Sequence, residues 1–176
     1  NPFFVEELAR DAAAGRAPSQ GDLPWNVRHM IVDRLARMGG AERELIHWAA
    51  VAGECFDLTL VQAASGVDDD SFLTALDRLR KAGLIEDDQC SLERMCFRYA
   101  LTREAVLQEL MGPDRRRRAA ALMRAAQAMA DERSTETPLE WLVGYAIDAG
   151  DRPAAFAYSA AAGRQSLALS GVAEAA

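Results

Sequence analysis

The chain has 176 residues, of which 50% are hydrophobic and 7% aromatic, and a formal net charge of −7 at pH 7. This length can bury the core of one or two domains, and abundant alanine with few aromatic residues favours close-packed helices over sheets. No apolar run approaches the roughly 18 residues that a membrane span requires, and no charged-then-apolar secretory leader is recognisable. We therefore expect a soluble, cytoplasmic protein.

Helical spacing of apolar residues, interrupted by glycine- and proline-rich breaks, predicts a series of helices in the first half of the chain. Asp57 is placed to cap one of them and Gly66 to end it. The acidic run at 68–70 opens the next helix, where negative charge at the N-terminus is favourable, and Gly83 ends it. The predicted helices cover 3–14, about 24–38, about 41–52, 58–65 and the segment from the acidic run to about 82, with a linker at 15–21.

The inward faces of these helices are defined by the same spacing. Their predicted core residues are Phe4, Leu8 and Ala12, then Val27, Ile31, Leu35 and Met38, then Leu45, Trp48, Ala49 and Ala52, and finally Phe72, Leu76 and Leu79.

Two short extended stretches follow, at 84–86 and 95–99, separated by a polar turn. They are the one hairpin that the sequence predicts. Three short helices followed directly by a hairpin form the winged-helix arrangement, a relative of the helix-turn-helix. The predicted fold is therefore mainly α, with a short β-hairpin near 84–99 inside a winged-helix domain.

Helices resume after the hairpin, and the last two are predicted to pair around Gly150-Asp151. Gly171 is expected to open a further helix. The predicted helices cover 101–111, 114–132 after a break at Gly112-Pro113, 139–149 and 153–169, with a linker at 134–138. Their predicted core residues are Leu101, Ala105, Val106, Leu122, Met123, Ala126 and Met129.

The final helix pair resembles a tetratricopeptide-like repeat, with small residues where the two helices touch. One such pair cannot bury its apolar face alone, and stable stacks need about three repeats. We therefore expect the parent protein to continue beyond Ala176. The residues that carry this resemblance are Leu142, Tyr145, Ala146, the turn at 149–151, Ala155, Tyr158 and Ala162.

Three cysteines and two histidines are the candidate metal ligands. Cys55, Cys90 and Cys96 have no C-x-x-C spacing, so the sequence suggests neither a disulfide framework nor a zinc site. Cys90 and Cys96 can face each other across a hairpin, but we interpret the cysteines as small apolar filler. His29 and His47 have no Cys or second His at ligand spacing, and we expect no metal site.

The charge is unevenly distributed along the chain. Residues 41–100 contain six Arg or Lys against twelve Asp or Glu, whereas residues 101–135 contain seven against five, including four arginines at 115–118. The acidic central segment repels phosphate backbones and argues against nucleic-acid binding there. The four arginines span a full helical turn and point in every direction, which favours a solvated or domain-contacting helix start over a nucleic-acid patch.

Five short phrases occur in order within residues 1–110. They are NPFFVEEL at 1–8, LPWNVR at 23–28, AAVAGECF at 49–56, LDRLRKAGLI at 76–85 and FRYALTREA at 97–105. In this order they resemble STAND-class signalling ATPases, both the large LuxR-type, MalT-like transcriptional regulators and ATPase modules fused to nucleotide cyclases or kinases. The chain is then expected to be an internal segment of such a protein.

The resemblance implies a non-catalytic regulatory segment that relays nucleotide and inducer state between an ATPase module and an effector domain. In that family ADP holds a closed monomer, while ATP with an inducer opens it for self-association. The implied domains are the end of the nucleotide-binding module with a linker (1–22), a winged helix (23–111), a linking helix (112–136) and the start of tetratricopeptide-like repeats (137–176).

The expected partners follow from the same resemblance. They are the upstream nucleotide-binding domain, the downstream effector domain, and an inducer or regulatory protein at the repeats. DNA is contacted only through an effector outside this chain, and no membrane is involved. ATP or ADP with Mg is expected in the full-length parent, and no cofactor in this segment.

Two positions carry the nucleotide contacts that the resemblance implies. Pro2 matches a proline that packs against adenine, and Tyr99 stands where the family has a histidine that touches the ADP phosphate. A phenol donates one hydrogen bond but has no positive charge near neutral pH, so the ADP-bound off state is in question. We expect Arg98, Arg103 or a residue outside the chain to take the place of this histidine at the phosphate. From the residues alone, Pro2 is equally a first-turn helix proline and Tyr99 a strand-end aromatic that closes the core.

No catalytic constellation is recognisable in the sequence. Consecutive carboxylates at 6–7 and 68–70 lie on different faces of their helices, and neither a nucleophile elbow nor a Gly-rich phosphate loop occurs. Trp25, Trp48 and Trp141 are interpreted as core anchors. We therefore expect no catalysis, and two alternatives to the relay remain: a DNA-binding winged helix and a plain protein-interaction scaffold.

Overall fold

The computed structural model describes residues 34–133 and 138–173. The predictions for 3–14 and 15–21, together with Pro2, Trp25 and His29, lie outside these residues. The described elements are α1 (Gly40–Ala52), β1 (Cys55–Asp57), α2 (Leu58–Ser65), α3 (Asp69–Lys81), β2 (Ile85–Asp87), β3 (Arg94–Phe97), α4 (Ala100–Glu109), α5 (Gly112–Arg133), α6 (Leu139–Ala149) and α7 (Arg152–Ala173).

The helix ends of α2 and α3 form where their local chemistry predicts. The Asp57 side chain accepts a hydrogen bond from the Leu60 amide at 2.8 Å, and the Asp68 side chain accepts one from the Ser71 amide at 3.0 Å. Each bond satisfies an amide that the first helical turn leaves without a partner. Gly66 ends α2 in the left-handed conformation, with φ of 67°. The predicted cap at Asp57, the stop at Gly66 and the start of α3 at the acidic run are confirmed, and the cap by Asp68 is an additional finding.

The predicted hairpin is present, and a third strand that the sequence did not indicate extends it. β2 and β3 pair antiparallel with Ile85 opposite Phe97, and β1 pairs antiparallel with the other edge of β3. The sheet order is therefore β1-β3-β2. Only three residues form β1, too few for alternation to be visible in the sequence. The inner face of the sheet buries Phe56, Ile85, Met95 and Phe97.

Two predicted helix boundaries are wrong. α5 begins at Gly112, because Pro113 occupies its first turn, where the missing amide costs nothing. α7 continues through Gly171 to Ala173, whereas the sequence was expected to open a further helix there. A glycine in a helix interior raises the free energy of the helix by only about 1 kcal/mol relative to alanine, and the high helix propensity of the many alanines in α7 offsets this.

One hydrophobic core extends through the described residues. It runs from Leu35 and α1 across the sheet and α3 to α5 and α6, so it is continuous across residue 112, where the sequence placed a domain boundary. α6 packs between α5 and α7. Of the predicted core residues, Leu35, Leu45, Trp48, Ala49, Phe72, Leu79, Ala105, Val106, Leu122 and Ala126 are buried, and Met38, Ala52, Leu76, Leu101, Met123 and Met129 are partly buried.

Among the described helices, none combines the length and apolar composition needed to cross a membrane.

Candidate functional site

Tyr99 is the predicted site residue that the structure describes, and it lies on the surface. It stands between β3 and α4 in extended conformation, with φ of −139° and ψ of 130°. Its residue surface is 43% exposed, so the interpretation as an aromatic that closes the core is wrong. Strand alternation would place Tyr99 on the same inward face as Phe97, but β3 ends at Phe97 and the chain turns into α4 directly after Tyr99. Pro2 lies outside the described residues.

The two arginines proposed to replace the family's histidine have different surroundings. The Arg98 guanidinium lies 6.0 Å from the centroid of the Tyr99 ring, and its Nε is 3.7 Å from Glu86 Oε2. The side chains of Arg98 and Glu86 are 52% and 54% exposed, so this ion pair is weak and can open. Arg103 instead donates from Nε to the Ala50 carbonyl at 2.9 Å, and burial lowers its pKa. Arg98 is thus available to an anionic ligand, and Arg103 is held in the interior.

A basic cluster lies at the C-terminal end of α3. Arg78, Arg80 and Lys81 fall in the last turn, where positive charge is favourable. Each has a carboxylate partner, as in the Arg80–Asp87 pair at 2.9 Å. The Arg80–Asp87 and Lys81–Asp77 pairs are exposed on both sides, whereas Arg78 is paired with the buried carboxylate of Glu42.

The second candidate feature is the junction between two parts of the molecule, which we call the sheet unit (residues 40–109) and the helical arm (residues 112–133 and 138–173). At its centre lies Arg118 of α5, whose side chain is 3% exposed. Arg118 donates to the two carboxylate oxygens of Glu44 in α1 at 2.8 and 2.9 Å. Its Nε donates to Asp114 at 3.1 Å, and its guanidinium lies 4.8 Å from the centroid of the Trp48 ring.

The electrostatics of this cluster show how tightly it is paired. Burial by itself lowers the pKa of Arg118, but the hydrogen bonds that it donates to Glu44 and Asp114 and their negative charges outweigh burial and raise the pKa above its ordinary value. The hydrogen bond from Arg118 lowers the pKa of Glu44. A buried guanidinium is stable only when its donors are satisfied in this way.

Three further bonds tie the arm to the sheet unit or brace the junction. Arg115 of α5 donates to both oxygens of Asp148 in α6, at 2.9 and 3.0 Å. The Tyr145 hydroxyl of α6 donates to the Ala52 carbonyl at 3.0 Å, and burial raises the pKa of Tyr145. Together with Arg103, Tyr145 satisfies carbonyls that the end of α1 leaves open. Of the four arginines at 115–118, Arg115 and Arg118 therefore make interior contacts, whereas Arg116 and Arg117 are exposed to solvent.

His47 lies in α1 near the same junction. Its Nε2 is 3.6 Å from Glu109 Oε2, and the atom is buried with no hydrogen-bond partner among the described residues. Burial lowers the pKa of His47, with the Glu109 contact partly opposing it. The ring is thus held neutral at physiological pH.

The cysteine prediction is wrong. Cys55 and Cys96 form a disulfide between β1 and β3, with 3.9 Å between their Cα atoms, and Cys90 is free and exposed. The Phe97 amide donates to the Glu54 carbonyl, which makes the neighbouring Cys55–Cys96 pair a non-hydrogen-bonded one with its side chains close together. Because β1 was not predicted, the sequence could not reveal that the two cysteines face each other. Asp88 is near both sulfurs.

The two described tryptophans, Trp48 and Trp141, differ in burial. Trp48 is 7% exposed and is a core anchor, as predicted. Trp141 of α6 is half-buried, and the Arg94 guanidinium of β3 lies 5.4 Å from its ring centroid. Trp141 therefore brings the arm against the outer face of the sheet.

Comparison with known family models, with curated proteins and with solved structures finds no match to this chain. Its function is consequently inferred from its own residues and their geometry.

Proposed function

We propose that the chain is the non-catalytic relay segment of a cytoplasmic, ATP-dependent STAND-class transcriptional regulator of the LuxR type. It transmits nucleotide state from an upstream ATPase module through the sheet unit to the helical arm and the effector beyond. The observation that carries the proposal is the buried Arg118 cluster, which joins α1 to α5 by a bidentate ion pair. A relay must move as one body, and this junction provides that rigidity.

The order of elements supports a winged helix as the core of the sheet unit. α1, β1, α2, α3 and the hairpin follow one another, with β1 added to the free edge of β3. α2 and α3 are separated by the short turn at 66–68, as in a helix-turn-helix. Three of the five sequence phrases, at 49–56, 76–85 and 97–105, fall within this unit.

The surface around Tyr99 supplies the input side of the proposed relay. An allosteric response requires a contact that differs between the two nucleotide states. Tyr99 and Arg98 are exposed, and the Arg98–Glu86 pair is loose enough to exchange its carboxylate for a phosphate. In this proposal ADP engages Tyr99 and Arg98 in the off state, and that contact is released on the change to ATP.

The helical arm supplies the output side. Phe156 and Leu167 of α7 are 78% and 74% exposed, an unusual amount for large apolar residues on an alanine-rich helix. The two side chains project from the same side of α7, about three helical turns apart, and offer apolar contact to another element or partner. This supports α7 as the side on which further repeats or the inducer pack.

DNA recognition by the winged helix is disfavoured by the charge of α3. In DNA-binding relatives the second helix enters the major groove and its N-terminal residues contact the bases. Here that end carries exposed Asp68, Asp69 and Asp70, which repel phosphates. The expected result of a gel shift at about 50 mM salt, where electrostatic binding is strong, is no complex. A salt-sensitive complex would favour the DNA-binding alternative.

The first test is to read the coding sequence on both sides of this segment. A P-loop upstream and a helix-turn-helix domain downstream support the proposed regulator. A cyclase or kinase catalytic domain selects the alternative parent, and the absence of an ATPase module overturns the proposal in favour of a plain scaffold.

The second test measures ADP release from the full-length protein carrying Tyr99→His, with Tyr99→Phe as the matched control. A charged imidazole gains about 1.5–3 kcal/mol in a phosphate contact, so we expect ADP to dissociate about tenfold or more slowly from Tyr99→His. Tyr99→Phe loses the hydroxyl donor and should release ADP faster. Identical rates in all three proteins would contradict a nucleotide contact at Tyr99.

A further inference from the structure

The outer face of the sheet gathers two sulfur atoms and a carboxylate in one place. The Sγ atoms of Cys55 and Cys96 and a carboxylate oxygen of Asp88 all lie within 4.8 Å of one another. Each of the three residues is partly buried. The grouping is independent of the surface around Tyr99 and of the proposed relay.

The sheet holds these side chains together by its register. Cys96 stands opposite Cys55 on one side and opposite Glu86 on the other, and directly opposite residues point to the same face. Phe56 follows Cys55 in β1, and Met95 precedes Cys96 in β3. Both side chains point into the core, so neither strand can rotate without exposing apolar surface. The potential ligands are thus fixed on a rigid element, which is the requirement for a preorganised site.

We propose that, when the disulfide is reduced, Cys55, Cys96 and Asp88 bind a zinc ion. Thiolate and carboxylate are normal zinc ligands, and zinc in proteins is usually four-coordinate and tetrahedral. A water molecule completes the coordination. Two thiolates select zinc over magnesium or calcium, which prefer oxygen.

The chemistry balances with a dithiol as the reductant. It donates two electrons and two protons, breaks the Sγ–Sγ bond, leaves Cys55 and Cys96 as thiols and becomes a disulfide itself. Zinc binding then displaces the two thiol protons. In the zinc-bound form the two sulfurs lie about 3.7 Å apart, the spacing for Zn–S bonds of about 2.3 Å in a tetrahedron. Rotation about the two Cα–Cβ bonds provides this spacing.

The surroundings of Asp88 support its role as a ligand. Its Oδ1 accepts a hydrogen bond from the Cys90 amide at 3.0 Å, which orients the carboxylate. Arg94 Nε lies 3.7 Å from its Oδ2, beyond hydrogen-bond distance, and is buried with no hydrogen-bond partner among the described residues. Two thiolates and one carboxylate around Zn²⁺ leave a net charge of −1, which Arg94 is placed to neutralise. Such surrounding contacts tune metal affinity.

Disulfide and zinc exclude each other at this site. In a reducing compartment the pair is a dithiol and the metal cross-links β1 to the hairpin, whereas in an oxidising one the disulfide does so. The sheet is therefore cross-linked in either condition, by different chemistry.

The experiment titrates the chain with Co²⁺ as a spectroscopic probe and then with Zn²⁺ against a chromophoric chelator. The chain is reduced with dithiothreitol and desalted without oxygen. We expect one equivalent of Co²⁺ to give a thiolate-to-cobalt charge-transfer band, and one equivalent of Zn²⁺ to displace it. The oxidised chain should give neither signal.

Four substitutions distinguish the site from adventitious thiol binding. Cys55→Ser and Cys96→Ser should abolish the charge-transfer band at one equivalent, and Asp88→Asn should weaken Zn²⁺ binding at least about tenfold. Cys90→Ser is the matched control, because it removes the exposed free thiol of the same hairpin, and it should bind as the unaltered chain does.

Several results would overturn the assignment. They are no stoichiometric binding by the reduced chain, equal binding by the oxidised chain, loss of binding in Cys90→Ser, or unchanged affinity in Asp88→Asn. Far-ultraviolet circular dichroism of the metal-free proteins shows whether the cysteine variants fold. If they do not, the half-buried Asp88→Asn substitution still decides the question.

Discussion

Two arginines that have neighbours of the same types differ in their roles in this molecule. Arg118 and Arg98 each have an aromatic ring and a glutamate beside them: Trp48 and Glu44 in one case, Tyr99 and Glu86 in the other. Arg118 is 3% exposed and bonds both glutamate oxygens at 2.8 and 2.9 Å, whereas the side chain of Arg98 is 52% exposed and lies 3.7 Å from its glutamate. Burial, more than residue type, separates a structural cation from one that can meet a ligand.

The difference has a physical origin in desolvation. A buried guanidinium that loses its partner cannot return to water, so its pairing is obligatory. An exposed one exchanges a carboxylate for water or another anion at little cost. We therefore expect substitutions at the junction to act on folding, and substitutions beside Tyr99 to act on binding.

The largest effect is expected at Arg118. Arg118→Ala leaves Glu44 and Asp114 without their shared partner and removes the group that covers Trp48, so the free energy of unfolding should fall by about 2–3 kcal/mol. Urea denaturation followed by tryptophan fluorescence measures it. Arg117→Ala is the matched control: the adjacent side chain is 70% exposed and should change stability by less than about 0.5 kcal/mol. Equal losses in the two variants would refute the assigned difference.

A smaller effect is expected where a single neutral hydrogen bond joins the arm to the sheet unit. Tyr145→Phe keeps the buried ring but leaves the Ala52 carbonyl without its donor, which should cost about 1–2 kcal/mol. Tyr158→Phe is the control, since the Tyr158 hydroxyl meets Gln127 in an exposed setting and its loss should be nearly neutral. If thermal unfolding cannot distinguish Tyr145→Phe from the unaltered chain, the hydroxyl does not brace the junction.

The sequence predicted the features that depend on neighbouring residues. The cap at Asp57, the acidic start of α3, the stop at Gly66 and the hairpin are each set within a few positions, so their chemistry is visible in the printed order. Inward faces followed from helical spacing for the same reason. Pro113 at a helix start was misread because proline is compatible both with a break and with a first turn.

The sequence could not predict features that depend on distant pairing. Glu44 and Arg118 are 74 residues apart, and Cys55 and Cys96 are 41 apart. Nothing local shows that the four arginines at 115–118 divide between interior and solvent, because that depends on which face of α5 meets α1. The strand β1 exists because β3 offers it an edge, so it has little signal of its own.

A pH-dependent prediction concerns His47, which lies between the junction and α4. Burial lowers its pKa below the ordinary value of 6.5, so the unfolded chain takes up a proton first as the pH falls. The stabilising contribution of neutral His47 is therefore full above pH 6.5 and is lost as the pH drops through that value toward the lowered pKa, by at most about 1.4 kcal/mol per pH unit. His47→Gln should flatten this part of the stability curve. Parallel curves for the two proteins between pH 5 and 7 would show that His47 does not titrate differently on folding.

The smallest effect on stability is expected at Arg98, the exposed arginine of the pair that we compare with the buried Arg118. Arg98→Ala removes an exposed ion pair with Glu86 and should change the free energy of unfolding by only about 0–1 kcal/mol. If the surface around Tyr99 meets a phosphate as proposed, the same substitution in the full-length protein should speed ADP release severalfold, because an ionised donor contributes more to that contact than to its own fold. Glu86→Gln leaves Arg98 in place without its carboxylate and should have the opposite effect on ADP release. A variant that lost stability without changing ADP release would make Arg98 a structural residue like Arg118, and the distinction between the two sites would fail.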